Sequence, residues 1–232
     1  MMIEETELLA QIQTRGYVHV VIHPTRFVEV RLAREKLFEV VQKCSVSFRG
    51  WDYPHIDSEP PHIDHDWVGQ SYRWEHQLEL WRFYRSGQFV SVSGLPYEWR
   101  DRSGFWPTDA SWKPNSVLGM MEVVATSTEA VEFASRLSQT DAGGDQMKVS
   151  VRLEKMNGRL LFVDSPRRAS LFREYRASVD SIPVEVELGR SELVARSREV
   201  ALELSREVFS YFGFSAEPRL LADMQREFIA NW

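Results

Sequence analysis

Residues 72–95 carry the strongest local pattern in the chain, and it is the pattern of a β-hairpin. Apolar and polar residues alternate from Tyr72 to Tyr84 and again from Gln88 to Leu95, as they do in strands that bury one face. Ser86-Gly87 lies between the two runs and suits a two-residue turn. Because so short a turn joins only antiparallel strands, this segment directs the chain towards an antiparallel sheet.

Further strands are predicted where β-branched and aromatic residues cluster between turn residues. Asn157-Gly158 is typical of a tight hairpin turn, and it predicts that the strands on either side of it pair with each other. The predicted strands outside residues 72–95 are Tyr17–Ile22, Val46–Phe48, Met147–Leu153, Arg159–Val163, Tyr175–Val179 and Val184–Leu188.

Apolar residues recur at helical spacing in other segments. These predicted helices are Glu4–Gln13, Val30–Cys44, Leu193–Phe212 and Leu220–Trp232. Residues Val117–Leu137 leave two alternatives open, one long helix or a strand over Val117–Val124 followed by a helix. Thr126 and Glu129 have capping-box spacing and favour a helix that begins there. Hairpins interleaved with helices indicate an α+β fold, with helices packed on a largely antiparallel sheet and a C-terminal helical pair.

The length and composition of the chain predict that it forms a stable hydrophobic core without disulfide bonds. It has 232 residues and one cysteine, Cys44, so no disulfide can form within it. A chain of this length buries roughly 70% of its unfolded surface without a staple. No linker, repeat or low-complexity tract divides it, which predicts one domain over residues 1–232. The acidic N-terminus and the lack of a long apolar run predict a cytoplasmic protein with no membrane segment.

Tryptophan is concentrated in one region, because seven of the eight lie between Trp51 and Trp112. Tryptophan, tyrosine and arginine are typical of protein–protein hot spots, although aromatic rings also fill cores below long loops. We expect a partner-binding surface, with the candidate residues Arg49, Trp51, Tyr53, Trp67, Trp106 and Trp112. The same residue types stack single-stranded bases, which leaves a nucleic-acid sensor as an alternative. The net charge of −6 disfavours a general binder of duplex DNA.

A cluster of histidine and aspartate between residues 55 and 66 suggests a different alternative. Imidazole and carboxylate groups are ligands of zinc, manganese and iron, and a metal-bound water would serve a hydrolase or nuclease. In this alternative the ligands would be His55, His62, Asp64 and His65. Aspartate and histidine also occur as turn residues in proline-rich loops, and the spacing here matches no ligand motif of known mechanism.

The sequence motifs that would fix a reaction are absent. The chain contains no GxSxG, no GxxxxGK[ST], no GxGxxG and no HExxH. This absence favours a non-catalytic accessory or adaptor protein that binds a protein partner and uses no cofactor. Its oligomeric state stays open.

The chain also contains the segments FRGWDYPHI (Phe48–Ile56), YRSGQF (Tyr84–Phe89) and EYRAS (Glu174–Ser178). They resemble segments of a family of uncharacterised bacterial proteins with an RGWDYP-type motif, and the resemblance spans most of the chain. It implies no activity and no site residues. Bacterial families of this kind often serve as accessory subunits of multi-protein systems, including phage defence, so the resemblance implies an accessory role by association.

Overall fold

The computed structural model describes residues 2–74, 76–99, 113–165 and 167–230. Within these ranges a seven-stranded antiparallel sheet carries six α-helices, two of them at the C-terminal end. The predicted α+β fold is therefore confirmed.

The elements follow one another in the order helix, strand, helix, a long run of strands, and then mixed strands and helices. The strands are β1 (Tyr17–Pro24), β2 (Val46–Ser47), β3 (Asp52–Tyr53), β4 (His62–Ile63), β5 (Trp67–Trp74), β6 (Gln77–Tyr84), β7 (Phe89–Gly94), β8 (Val117–Gly119), β9 (Gln146–Glu154), β10 (Leu160–Phe162) and β11 (Ser181–Gly189). The helices are α1 (Met2–Ile12), α2 (Leu37–Cys44), α3 (Pro96–Trp99), α4 (Met120–Ser138), α5 (Arg190–Ser210) and α6 (Pro218–Ala230), with a 3₁₀ turn at Arg34–Lys36.

The large sheet has the strand order β11-β9-β1-β7-β6-β5-β4. β1 is an interior strand, with Val20 opposite Ser91 of β7 on one side and Val151 of β9 on the other. Strands from the first and second halves of the chain therefore meet on β1. Two small pairs complete the structure, β2 with β3 antiparallel and β10 with β8 parallel.

The two faces of the large sheet are covered by different helices. Trp81 and Phe83 of β6 lie in the main core, which includes most of α4 and parts of α2 and α5. Leu78 of the same strand belongs to a smaller cluster on the opposite face, where Leu8 and Ile12 of α1 pack. The period-2 alternation of a strand accounts for this division.

The hairpin predictions were confirmed in one case and wrong in the other. β6 and β7 pair around the Ser86-Gly87 turn, and Gly87 has a φ of 85°. The alternating run from Tyr72 to Tyr84 is not one strand, however, because β5 ends at Trp74 and β6 begins at Gln77. Asn157-Gly158 does not close a hairpin: β9 pairs with β1 and β11, whereas β10 pairs with β8.

Several predicted boundaries also move. The open question at Val117 resolves into a three-residue strand followed by a helix from Met120, so Thr126 lies within α4 and does not begin it. The helix predicted from Val30 is reduced to α2 and the preceding 3₁₀ turn. The strand predicted at Tyr175–Val179 is a single bridge between Leu160 and Arg176. Helices α1, α5 and α6 lie where they were predicted.

Candidate ligand-binding cavity

A cavity of about 150 Å³ lies between α4 and the strands β6 and β7. Its lining includes both half-buried and fully buried residues. The lining residues come from the segment after β2, from β3, β6 and β7, and from one face of α4: Arg49, Trp51, Asp52, Tyr53, Gln77, Glu79, Ser93, Gly94, Pro96, Glu122, Thr126 and Glu129. Four of them carry a carboxyl group and one carries a guanidinium.

Arg49 joins the loop after β2 to two glutamates of α4. Its Nε and Nη2 donate to the two carboxylate oxygens of Glu129 at 2.8 and 2.6 Å, and its Nη1 donates to Glu122 at 3.1 Å. Glu122 and Glu129 are seven residues apart, which is two helical turns, so both side chains project from the same face of α4. The paired, planar geometry is the strong form of a charge-assisted hydrogen bond.

The electrostatics of this triad follow from its burial. Burial disfavours the Arg49 cation, but Glu129 and Glu122 outweigh this effect and raise its pKa above the ordinary value. Burial also raises the pKa of Glu129, and the Arg49 guanidinium acts against that rise. One guanidinium is shared between two carboxyl groups, so the triad holds more acid than base.

Glu79 is the third glutamate of the cavity and lies on the sheet. It is 8% exposed and faces Ser93 across the β6–β7 ladder. Ser93, with its small side chain, lines the cavity beside Glu79. Its Oε1 accepts the backbone N–H of His55 at 3.4 Å. Burial raises the pKa of Glu79 to about 8, so the group is largely protonated near neutral pH.

Trp51 lines the cavity and packs against three rings that lie outside the lining. It is stacked with His55, at 4.0 Å between ring centroids, and with Trp74, at 6.1 Å. Tyr72 contacts Trp51 edge-on at 5.0 Å. These three neighbours hold the Trp51 ring in place.

The structure gives the residues predicted to bind a partner different environments. Arg49, Trp51 and Tyr53 line the cavity, so three of the six meet at one site. Tyr53 and Trp67 are interior residues, 8% and 9% exposed, and do not contribute to a surface. The Arg82 guanidinium covers the Trp67 ring at 4.1 Å. Trp106 and Trp112 lie outside the described residues.

The residues of the metal alternative do not converge. His55 stacks on Trp51, and His62 lies against Trp67 at 4.9 Å between centroids. Asp64 accepts the backbone N–H of His65, whose side chain is 81% exposed. In the part of the chain that the structure describes, no three His, Cys, Asp or Glu side chains are grouped to hold a metal ion. The metal alternative is therefore not carried forward.

Glu79, Glu122 and Glu129 were not identified from the sequence, although a signal for each exists. Glu79 falls on the inward face of β6 with Trp81 and Phe83, where the alternation calls for an apolar residue. The heptad spacing of Glu122 and Glu129 places both on one face of a helix that is buried along most of its length. A carboxyl group at a position where the pattern predicts a buried apolar residue therefore indicates a candidate functional residue.

Comparison with protein-family models, curated proteins and solved structures yields no match. Among the described helices, none combines the length and apolar character required to cross a membrane.

Proposed function

We propose that the protein binds a small organic cation in the cavity between α4 and the sheet. The observation that supports this is the lining, which has four carboxyl groups against one guanidinium and includes the Trp51 ring. Carboxylates form charge-assisted hydrogen bonds with ammonium groups. A cavity of about 150 Å³ admits a ligand about the size of benzene. A primary amine with a short carbon chain fits these requirements.

Glu79 is the residue that would respond to such a ligand. A cation beside its carboxyl group favours the ionised form, so binding lowers the pKa of Glu79 and releases its proton. Arg49 already pairs with Glu122 and Glu129, whereas Glu79 accepts a hydrogen bond of 3.4 Å from the His55 backbone N–H. The affinity for an amine that stays protonated should therefore rise as pH increases towards 8.

Calorimetric titration with n-butylammonium, against the neutral isostere n-butanol, tests this function. We expect saturable 1:1 binding of the ammonium ion and none of the alcohol. Glu79→Gln removes the ionisable group and should weaken binding by about tenfold or more. In buffers of different ionisation enthalpy, the wild type should release a proton on binding, whereas Glu79→Gln should not.

The matched control is Glu217→Gln, which makes the same change at an exposed position outside the cavity. It should bind n-butylammonium as the wild type does. Equal affinity for the alcohol and the ammonium ion would contradict the cation assignment. Equal weakening by both glutamine variants would place the binding outside the cavity.

Trp74 favours a second candidate function, the binding of a protein partner. Its side chain is 52% exposed and stacks parallel to Trp51 on one side. A large aromatic ring held rigidly at the surface is typical of a hot-spot residue, because little entropy is lost when a partner covers it. We propose that the outer face of Trp74 contacts the partner of an accessory subunit. Nothing in this proposal requires the cavity to be occupied.

Affinity purification from the native cell, with quantitative mass spectrometry, tests the partner role. A specific partner should be lost with Trp74→Ala and retained with Phe172→Ala, a change at another exposed ring. Retention of the same proteins by both variants would show that Trp74 is not the contact.

A further inference from the structure

A second concave surface lies at the opposite end of β1 from Gly94 and carries the opposite charge. It is a groove of about 380 Å³. Three segments meet there: the residues directly after β1, the loop that leads into β9 and the first residue of α5. The side chains that matter are Arg26, Arg31 and Arg190, with Asp145 as the one acidic residue of the lining.

The guanidinium charges in this groove are incompletely compensated. Arg31 donates to the carbonyl oxygens of Gly143 at 2.8 Å and Arg26 at 2.6 Å, so peptide groups hold its guanidinium in place. Burial and then the nearby Arg26 side chain lower the pKa of Arg31, and the Asp145 carboxylate acts against them. Arg190 is 3.7 Å from Asp145, an ion pair whose two side chains are largely exposed. Three guanidinium groups thus face one carboxylate in a chain of net charge −6.

The start of α5 adds to this positive character. The helix has 21 residues and begins at Arg190, and its N-cap residue, Gly189, provides no side-chain hydrogen bond. The N–H of Arg190 donates to the Asp145 carbonyl oxygen at 2.8 Å. The following N–H groups of the first turn carry the partial positive charge of the helix end, which favours an anion in the groove.

We propose that this groove binds the phosphoryl group of a small phosphorylated molecule. Guanidinium groups offer forked donors that match phosphate oxygens, and three of them around one concavity can contact several oxygens at once. The groove is much larger than a single phosphate, so it also has room for the molecule that carries the phosphoryl group. A long polyanion such as RNA is disfavoured because the net charge of −6 would repel the rest of the strand.

Titration calorimetry with inorganic phosphate, pyrophosphate and a nucleoside monophosphate tests the proposal. We expect 1:1 binding, tightest for the nucleoside monophosphate or pyrophosphate and weaker at higher salt. The double variant Arg26→Gln/Arg190→Gln should lose affinity by about tenfold or more. Both residues are exposed, so the variant should keep its fold, which far-ultraviolet circular dichroism would verify. Arg31 is left intact because it holds the loop at Gly143.

The control is Arg219→Gln, which removes one positive charge from an exposed position on α6. It should bind each probe as the wild type does. Equal weakening by the control and the double variant would overturn the groove as the site, as would an absence of binding by all three probes. Equal affinity for inorganic phosphate and the nucleoside monophosphate would show that the groove binds a free phosphate ion and does not recognise the rest of a phosphorylated molecule. If a short single-stranded RNA bound more tightly than the three probes, and did so through Arg26 and Arg190, the groove would be a nucleic-acid site and the proposal would be wrong.

Discussion

At the scale of single residues, Glu79 is a carboxyl group placed where the sheet buries apolar side chains. Trp81 and Phe83 occupy the next inward positions of the same strand and are almost fully buried. A buried carboxyl group avoids the cost of desolvating a charge by keeping its proton, which is why its pKa rises from 4.5 to about 8. Above the ordinary pKa of a glutamate this burial lowers stability, and strongly shifted pKa values of this kind are common at functional sites.

Glu79→Gln should alter how stability depends on pH. The folded state holds the Glu79 proton up to pH about 8, whereas the unfolded state releases it near 4.5. Stability of the wild type therefore falls between these pH values and levels off above them. Glutamine does not titrate. As the pH rises from 4.5 to 8, the free energy of unfolding of the variant should therefore increase relative to that of the wild type, by an amount on the order of a few kcal/mol. Urea unfolding of both proteins from pH 4.5 to 8.5 measures the difference; parallel stability curves would contradict the assignment.

At the scale of elements, the start of α4 depends on a residue far away in the sequence. Asp164, which follows β10, accepts the N–H groups of Met121 at 2.6 Å and Glu122 at 3.1 Å, and the hydroxyl of Tyr97 at 2.9 Å. These are the N–H groups that a helix N-cap side chain normally satisfies. The N-cap residue itself is Gly119, and a Cβ there would collide with the Asp164 carboxylate. Because Gly119 has no side chain, the carboxylate of Asp164 can approach the first turn of α4 and cap it.

Asp164→Ala should destabilise the protein by about 1–2 kcal/mol, because the first turn of α4 loses its cap. Asp164→Asn retains an acceptor oxygen and should lose less. Asp141→Ala, at an exposed position near the end of α4, serves as the control and should change stability little. Chemical denaturation at pH 7.5 measures all three variants. A loss at position 141 as large as that at 164 would show that the cap contributes nothing specific.

This distant cap explains where sequence patterns succeed and fail in this chain. The fold class, the β6–β7 hairpin and helices α1, α5 and α6 follow from local alternation and turn chemistry, which a single segment carries by itself. The sequence left the start of this helix open and favoured Thr126, because no local signal marks Met120; the cap comes from Asp164, 44 positions later. Asn157-Gly158 likewise forms a turn, with a φ of 76° at Gly158, but a turn does not determine which strands pair.

The candidate site divides in the same way. Arg49, Trp51 and Tyr53 were identified by residue type because they lie together in the chain. Their counterparts on α4 and β6 become neighbours only through tertiary packing, so the sequence spacing did not group them. The residues of the metal alternative show the converse: they are close in sequence, along an irregular segment and the short strand β4, yet they form no group that could hold a metal ion among the described residues. Proximity in the chain was informative only where the backbone also brings the side chains to one place.

At the scale of the whole molecule, the interior position of β1 links the two halves of the chain. Its residues pair with β7 on one edge and with β9 on the other, while α4 packs against α5. Loss of β1 would expose the apolar faces of both halves at once. We therefore expect one cooperative unfolding transition, as for a single domain.

Two spectroscopic signals from different parts of the chain make this expectation testable. Seven of eight tryptophans lie between residues 51 and 112, so fluorescence reports the first half, whereas α4, α5 and α6 in the second half dominate the helical circular dichroism. Both signals should give the same urea midpoint. Val20→Ala, at a buried position on β1, should lower the free energy of unfolding by about 1–3 kcal/mol. It should shift the urea midpoints of both signals by the same amount. Val194→Ala, on the exposed face of α5, should move neither. If fluorescence and circular dichroism separate, the halves unfold independently, and the prediction of one domain over residues 1–232 is wrong.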